Sequence, residues 1–313
     1  MKEELFVSGR NIPNIDPFLK IWHWQIPLYL FLGGLAAGIL FFAGYFVVRG
    51  KEKEMQTAVK WAPLLAPIAL VLGLGALFWD LKHKLYFWQL YTTIRLESPM
   101  GWGAWTLMII TPLSLIWVAS YMKEILPWWD WKFKFLDKFE AFVIKQRVPL
   151  AWIMMIYAII LGVYTGILLS AFNARPLWNT SILGPLFLVS GFSTGLAATI
   201  WMSKDAAERK ILSRIDLVFI FVEIFLIVHL FMGFLAGSET SIEAAKLFLG
   251  GPFTVSFWVF VVLLGLVFPA VLETLEIWGF HVPKWLPPVL ILFGGLMFRF
   301  IMVEAGQITR YLY

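Results

Sequence analysis

PLYLFLGGLAAGILFFAGYFVVR, residues 27–49, decides the class of this chain: 23 residues whose single charge, Arg49, comes at the end. The hydrocarbon core of a bilayer is about 30 Å thick, and a helix needs roughly 20 apolar residues to cross it. In lipid every backbone N–H and C=O must be paired inside its own segment or in a closed barrel, so runs of this kind are read as transmembrane helices. Seven more follow, near 61–79, 102–122, 150–171, 182–202, 213–236, 252–275 and 287–308. Composition agrees: 60% of the 313 residues are hydrophobic and 14% charged, with a mean hydropathy of +0.80, far from the soluble range. The expected fold is an all-α integral membrane protein with eight transmembrane helices in two four-helix bundles.

An even number of spans puts both termini on one face. Connectors on the opposite face hold Arg49, Lys51, Lys53, Lys60, Lys123, Lys132, Lys134, Lys138, Lys145, Arg147, Lys204, Arg209, Lys210, Arg214 and Lys284, fifteen of the 25 basic residues. The face of the termini holds nine: Lys2, Arg10, Lys20, Lys82, Lys84, Arg95, Arg175, Lys246 and Arg310. The positive-inside rule then makes the richer face cytoplasmic and places both termini outside a cell inner (plasma) membrane. The net charge of +5 is thus a topology signal, and no nucleic-acid partner is expected. The first 26 residues are polar and contain Pro13 and Pro17 without an apolar leader core, so no cleavable signal is expected. Cysteine is absent, which rules out a disulfide, an iron–sulfur cluster or a thiolate metal site in this chain; no other metal site is expected. Many of the 17 Trp cluster at span ends, as an interfacial aromatic belt requires.

The chain divides into similar halves. The first span carries Gly33-Gly34-Leu35-Ala36-Ala37-Gly38-Ile39, the fifth Thr194-Gly195-Leu196-Ala197-Ala198-Thr199-Ile200. Small residues at this spacing allow close helix approach, and four spans per half imply a parallel repeat. The N-terminal half runs through 1–149 and closes with the fourth span at 150–171; residues 182–313 hold the other four spans, in one integral membrane domain overall. The connector 123–149 alternates Trp128, Trp131, Phe133 and Phe135 with Lys132, Lys134 and Lys138, the composition of a segment lying on the membrane surface.

Ionisable groups at bilayer depth are costly and are read first as functional. Glu223 falls near the middle of the sixth span, with Asp216 one heptad below on the same face and His229 about 120° away in direction. Arg299 and Glu304 lie in the outer half of the eighth. These five are the candidate proton-transfer groups, with an interhelical hydrogen bond or an ion pair to Arg299 as the structural alternative. A second group collects at the outer edge: His23, Tyr29, Asp80, His83 and Tyr164. Asp80 and His83 would share a face at i,i+3 if their helix continues. Imidazoles, a carboxylate and phenols at one depth suit hydrogen bonding to quinone carbonyls and movement of protons. Interfacial residues facing water are the plain alternative. Haem is not expected, since bis-His ligation needs two imidazoles at one level on facing helices.

Trp22-His23-Trp24, Tyr29 through Gly38, Glu97-Ser98-Pro99-Met100-Gly101-Trp102-Gly103-Ala104-Trp105, Tyr164 through Ser170, Asn173 through Trp178, and Arg299 through Gln307 together resemble the NrfD/PsrC family of integral membrane subunits in polysulfide-reductase-like respiratory complexes. The resemblance runs the length of the chain. It implies a haem-free subunit of two four-helix bundles that binds a quinone, menaquinone or ubiquinone, near the outer surface. There it would meet a ferredoxin-like subunit with four iron–sulfur clusters, joined to a catalytic molybdopterin or cytochrome subunit. Carried over by position, the pocket tyrosine is Tyr164, and the start of the first span offers Tyr29 and His23. Asn173, Arg175 and Trp178 would face the partner. Where polysulfide-reductase members place a His and an Asn in the pocket, this chain has Tyr29 and Ile26. The expected work is the quinone half-reaction of an oxidoreductase complex, with possible coupling to proton transfer; a two-half secondary transporter and a structural anchor are the rivals.

Overall fold

The computed structural model describes residues 21–131 and 133–311. Lys2, Arg10, Lys20 and Lys132 of the charge pattern lie outside the described residues, as do residues 1–20 of the polar N-terminal stretch. Eight helices are long and apolar enough to cross a membrane: Gln25–Val48, Thr57–Asp80, Pro99–Ile125, Arg147–Ser170, Leu183–Met202, Ala206–Leu235, Ser256–Ile277 and Leu286–Ile308, here the first to eighth spans. No strand occurs among the described residues.

Local chemistry sets several boundaries that hydropathy misplaces. The sixth span begins at Ala206, well before its apolar core, because the Asp205 carboxylate accepts from the Ala207 N–H at 3.0 Å and Glu208 follows in the first turn. Ser98 caps the third span, with Pro99 in its first turn. The second span opens with a π turn, Thr57–Trp61, and a 3-10 turn through Pro63 before becoming α at Leu65. The seventh is π-helical over Ser256–Val267 and turns α at Phe268. Pro269 lies at that junction and offers no N–H to the turn before it.

The first span packs on the second and fourth, and the third on the same two, closing one four-helix bundle; the fifth and seventh spans pack likewise on the sixth and eighth. The bundles meet chiefly along the first and fifth spans, flanked by contacts of fourth with fifth and first with eighth. This seam uses the two small-residue runs that mark the repeat. A Cβ on Gly38 would lie 2.5 Å from the Gly191 carbonyl oxygen and 3.0 Å from the Gly195 Cα, and one on Gly34 3.2 Å from the Gly191 Cα. The helices therefore touch backbone to backbone, as packing-driven association in lipid favours.

Both described ends meet on one face. Gln307, at the end of the eighth span, accepts from the Ile21 and Trp22 N–H groups at 2.9 and 2.8 Å and donates to the Trp22 carbonyl at 2.9 Å. On the opposite face the helix Lys134–Lys145 exposes Phe135, Phe139 and Phe142 in a row and buries Glu140 and Val143. It is held down by Lys123, which pairs with Asp137 and Glu140 at 2.6 and 2.9 Å. Arg147 clamps the next turn to Glu52, Glu124 and the Ser120 carbonyl.

Candidate functional site

Tyr29 points into the N-terminal bundle from the second turn of the first span and is buried there. Tyr164 of the fourth span approaches it, and Tyr91 of the connector between the second and third spans lies within electrostatic reach. The two span phenols interact without hydrogen-bonding geometry, which leaves the buried Tyr29 hydroxyl with no protein partner. One turn nearer the start of the span, at i−4 on the same side of the helix, the Gln25 side-chain oxygen is also buried and unpaired. Two buried polar atoms one turn apart thus lack a protein partner, and such burial is costly.

Glycines make room for the two phenol rings. A Cβ on Gly103 of the third span would lie 1.9 Å from Tyr164 Cζ and 2.2 Å from its hydroxyl; one on Gly73 of the second would lie 3.6 Å from the Tyr29 ring. The connector between the second and third spans lines an open cavity of about 430 Å³ whose walls include Leu81, His83, Tyr86, Phe87, Arg95 and Ser98. Partial burial pushes the Tyr91 phenol above its ordinary value, so at neutral pH it carries its proton and can donate.

The outer cluster read from the sequence is brought together only in part. Tyr29 and Tyr164 meet, and His83 stands on the cavity wall. The helix does not continue past Asp80: Leu81 is extended and His83 non-helical, so the i,i+3 pairing of Asp80 with His83 does not form. Lys82-His83-Lys84 gain hydration by leaving the span, and Lys84 rests over the Trp79 ring at 4.8 Å. Asp80 is half-buried outside the cavity wall, and His23 is exposed. Gln25, Tyr91 and Gly103 are additions that hydropathy and motif reading passed over; the i,i+4 spacing of Gln25 and Tyr29 was the available sign.

A second polar system runs through the C-terminal bundle. Arg299 is completely buried: Nη1 donates to Ser190 Oγ at 2.5 Å and the Gly295 carbonyl at 3.1 Å, Nη2 to the Phe187 carbonyl at 3.2 Å. Its guanidinium lies 5.1 and 5.3 Å from the Phe187 and Phe298 rings, and Nη2 would be 3.3 Å from a Cβ on Gly34, at the seam. Glu223 sits beside Ser190 with Arg299 in electrostatic reach, so the serine stands between them in place of a direct ion pair. Asp216 is fully buried below on the same helix face. His229 is turned outward, its Nδ1 2.8 Å from the Phe225 carbonyl oxygen, and Glu304 is exposed. The 120° offset from Glu223 carries His229 out of the bundle interior, so neither it nor Glu304 joins the file.

Of the three residues expected to face a partner, Asn173 is exposed and Arg175 half-buried, donating to the Thr309 carbonyl at 2.6 Å. Trp178 is instead buried: its indole N–H donates to the Met302 carbonyl at 2.8 Å, its ring stacks on Trp22 at 5.2 Å, and Gly306 leaves room for it. Among the described residues, no three or more His, Cys, Asp or Glu gather as metal ligands would.

Comparison with known proteins agrees with this architecture. Residues 14–310 match the family described as Polysulphide reductase, NrfD. A polysulfide reductase chain of Wolinella succinogenes is 33% identical over 302 residues, covering 92% of this chain and 94% of the relative. Protein NrfD of Escherichia coli is 31% identical over 310 residues, covering 92% and 96%. The NrfD homolog of Haemophilus influenzae is 28% identical, covering 95% and 98%. The chain belongs to the NrfD family of polysulphide-reductase-type membrane proteins.

Proposed function

We propose that this protein is the quinone-binding membrane subunit of a respiratory oxidoreductase complex, exchanging electrons at its outer face with an extrinsic iron–sulfur subunit. The observation that carries the reading is the buried, unpaired Tyr29 hydroxyl, one helical turn from the unpaired Gln25 side-chain oxygen and beside Tyr164, whose ring packs on Gly103. Such a site suits a flat ring with hydrogen-bonding oxygens, in either redox state. A bound quinone supplies two-electron chemistry and takes up or releases two protons as it cycles.

The protein's part is to bind, orient and handle protons. Tyr29, Tyr164 and Tyr91 keep their protons at neutral pH and donate to ring oxygens. The Gln25 side-chain oxygen accepts from a hydroxyl when the reduced form is bound. His83, on the cavity wall, passes protons between the site and outside water, with His23 and Asp80 further out on the same route. The subunit thereby performs the quinone half-reaction, while the terminal chemistry falls to a molybdopterin or cytochrome subunit. That the Wolinella succinogenes relative is named as one lettered chain of polysulfide reductase supports membership of a multi-chain enzyme.

Glu223, Asp216 and Arg299 are read as a proton relay between the cytoplasmic side and the seam, with both termini outside and the 50–60, 123–149 and 203–213 connectors cytoplasmic. An alternating-access transporter would rock its halves along the first and fifth spans, where Gly34, Gly38, Gly191 and Gly195 instead pack backbone on backbone. Purification of the tagged protein from its native membrane tests the reading: a co-purifying quinone and iron–sulfur-bearing subunits are expected. A stable protein isolated alone, with no quinone, would count against it.

A further inference from the structure

Glu273 has no part in the quinone site, and its position is unusual. It lies four residues inside the cytoplasmic end of the seventh span, about 6 Å along the axis at 1.5 Å per residue, and is fully buried. Asp216 of the sixth span, which packs on this part of the seventh, is also fully buried and lies within electrostatic reach. All four carboxyl oxygens of the two residues lack a hydrogen-bond partner in the protein. So do the buried Ser193 and Ser213 hydroxyls, which lie beside Asp216 and Glu273 respectively but outside hydrogen-bonding geometry. Six unpaired polar atoms are therefore buried where the fifth, sixth and seventh spans pack together.

The charges around these atoms are otherwise committed. On the sixth span Arg209 pairs with Glu276 at 3.4 Å and donates to the Ser203 and Lys204 carbonyls. Glu223 lies above Asp216 and is engaged by Ser190 and Arg299. On the seventh span Glu276 lies below Glu273; the fifth span contributes only hydroxyls, and the eighth only Arg299. No Lys, Arg or His forms an ion pair with Asp216 or Glu273 among the described residues. Two adjacent carboxyls buried without a cation cannot both ionise cheaply. Unpaired serine hydroxyls and carboxyl oxygens supply the polar partners that a bound water needs.

We propose that Asp216 and Glu273 form a carboxyl pair that holds an exchangeable proton across bound water, with Ser193 and Ser213 completing the water's hydrogen bonds, and that the pair loads Glu223 from the cytoplasmic side. The pair rests with one proton. A second, taken from cytoplasmic water past the Arg209–Glu276 ion pair, neutralises it. One proton then passes to a Glu223 carboxylate that has released its own, and the pair returns to its starting state. The loading role rests on the relay reading of Glu223; the shared proton does not.

Infrared difference spectroscopy on the intact complex, titrated with pH in H₂O and D₂O, tests the pair directly. A protonated-carboxyl C=O band that shifts on deuteration is expected. Coupled groups titrate as a unit, so Glu273→Gln should move the midpoint of the surviving Asp216 band, and Asp216→Asn that of the surviving Glu273 band. Each substitution should also slow proton uptake from the cytoplasmic side by about 100-fold, the scale of losing a positioned proton donor. Bands that titrate independently would overturn the pair. Loss of the band on replacing potassium by sodium, with proton release, would overturn it in favour of a sodium site. Should Glu273→Gln fail to assemble, Asp216→Asn and Ser213→Ala give the same readout. Coupled bands alongside unaltered translocation in Glu223→Gln would remove the relay and leave the pair standing.

Discussion

Gly103→Ala tests the quinone site through its walls. The added methyl would start 1.9 Å from Tyr164 Cζ and 2.2 Å from the hydroxyl, so the ring must retreat by about 1.5 Å to reach ordinary contact at 3.4 Å. A phenol ring can move that far by rotating about its side-chain bonds, so assembly should survive. The hydroxyl would then no longer sit beside Tyr29. Displacements near 1 Å in a positioned group cost roughly 100-fold in rate, equivalent to about 2.7 kcal/mol. Quinone-dependent turnover of the purified complex, compared with partner-subunit content on a gel, reads the effect. Gly75→Ala is the control, since nothing lies within 4 Å of a Cβ there. Turnover within twofold of the unmodified complex in both variants would refute the placement of Tyr164 in the site.

Tyr164→Phe keeps the ring and removes one donor, so the complex should assemble while turnover falls by about 30- to 1000-fold, the equivalent of about 2–4 kcal/mol; unchanged turnover would take the hydroxyl out of the site. Glu223→Gln keeps shape but cannot release a proton, and in reconstituted vesicles should lower the protons translocated per electron; a ratio and rate matching the unmodified complex would make Glu223 structural. A cysteine at position 134 of this cysteine-free protein should react with impermeant reagent only from the cytoplasmic side, and labelling from outside alone would invert the topology.

Hydropathy was enough for the eight spans, because length and apolarity alone decide whether a helix can cross a bilayer. The likeness of Gly33–Ile39 to Thr194–Ile200 turned out to mark where the halves touch, since only small residues permit that approach. Topology and family resemblance together put Tyr29 and Tyr164 at one depth, and the two phenols do come together. What sequence does not carry is the direction in which a side chain leaves its helix once the helices have rotated into place. Gln25 lies just before the apolar run 27–49, so hydropathy does not connect it with Tyr29 one turn on. Glu273 stands near the end of the apolar run 252–275 and looks interfacial there, yet it is completely buried. Trp178 has the sequence position of a belt or partner residue and is an internal wedge against Gly306 and Met302. His229 fails for the converse reason: mid-span position suggests function, while its face of the helix looks outward.

Photo-crosslinking with an azido-quinone in the assembled complex, followed by mass-spectrometric mapping of the modified peptides, tests the central claim most directly. Adducts at or beside Gln25, Tyr29, Tyr91, Gly103 or Tyr164, competed away by excess unmodified quinone, are the expected result. Competable adducts confined to the C-terminal bundle, around Ser190, Glu223 and Arg299, would contradict it.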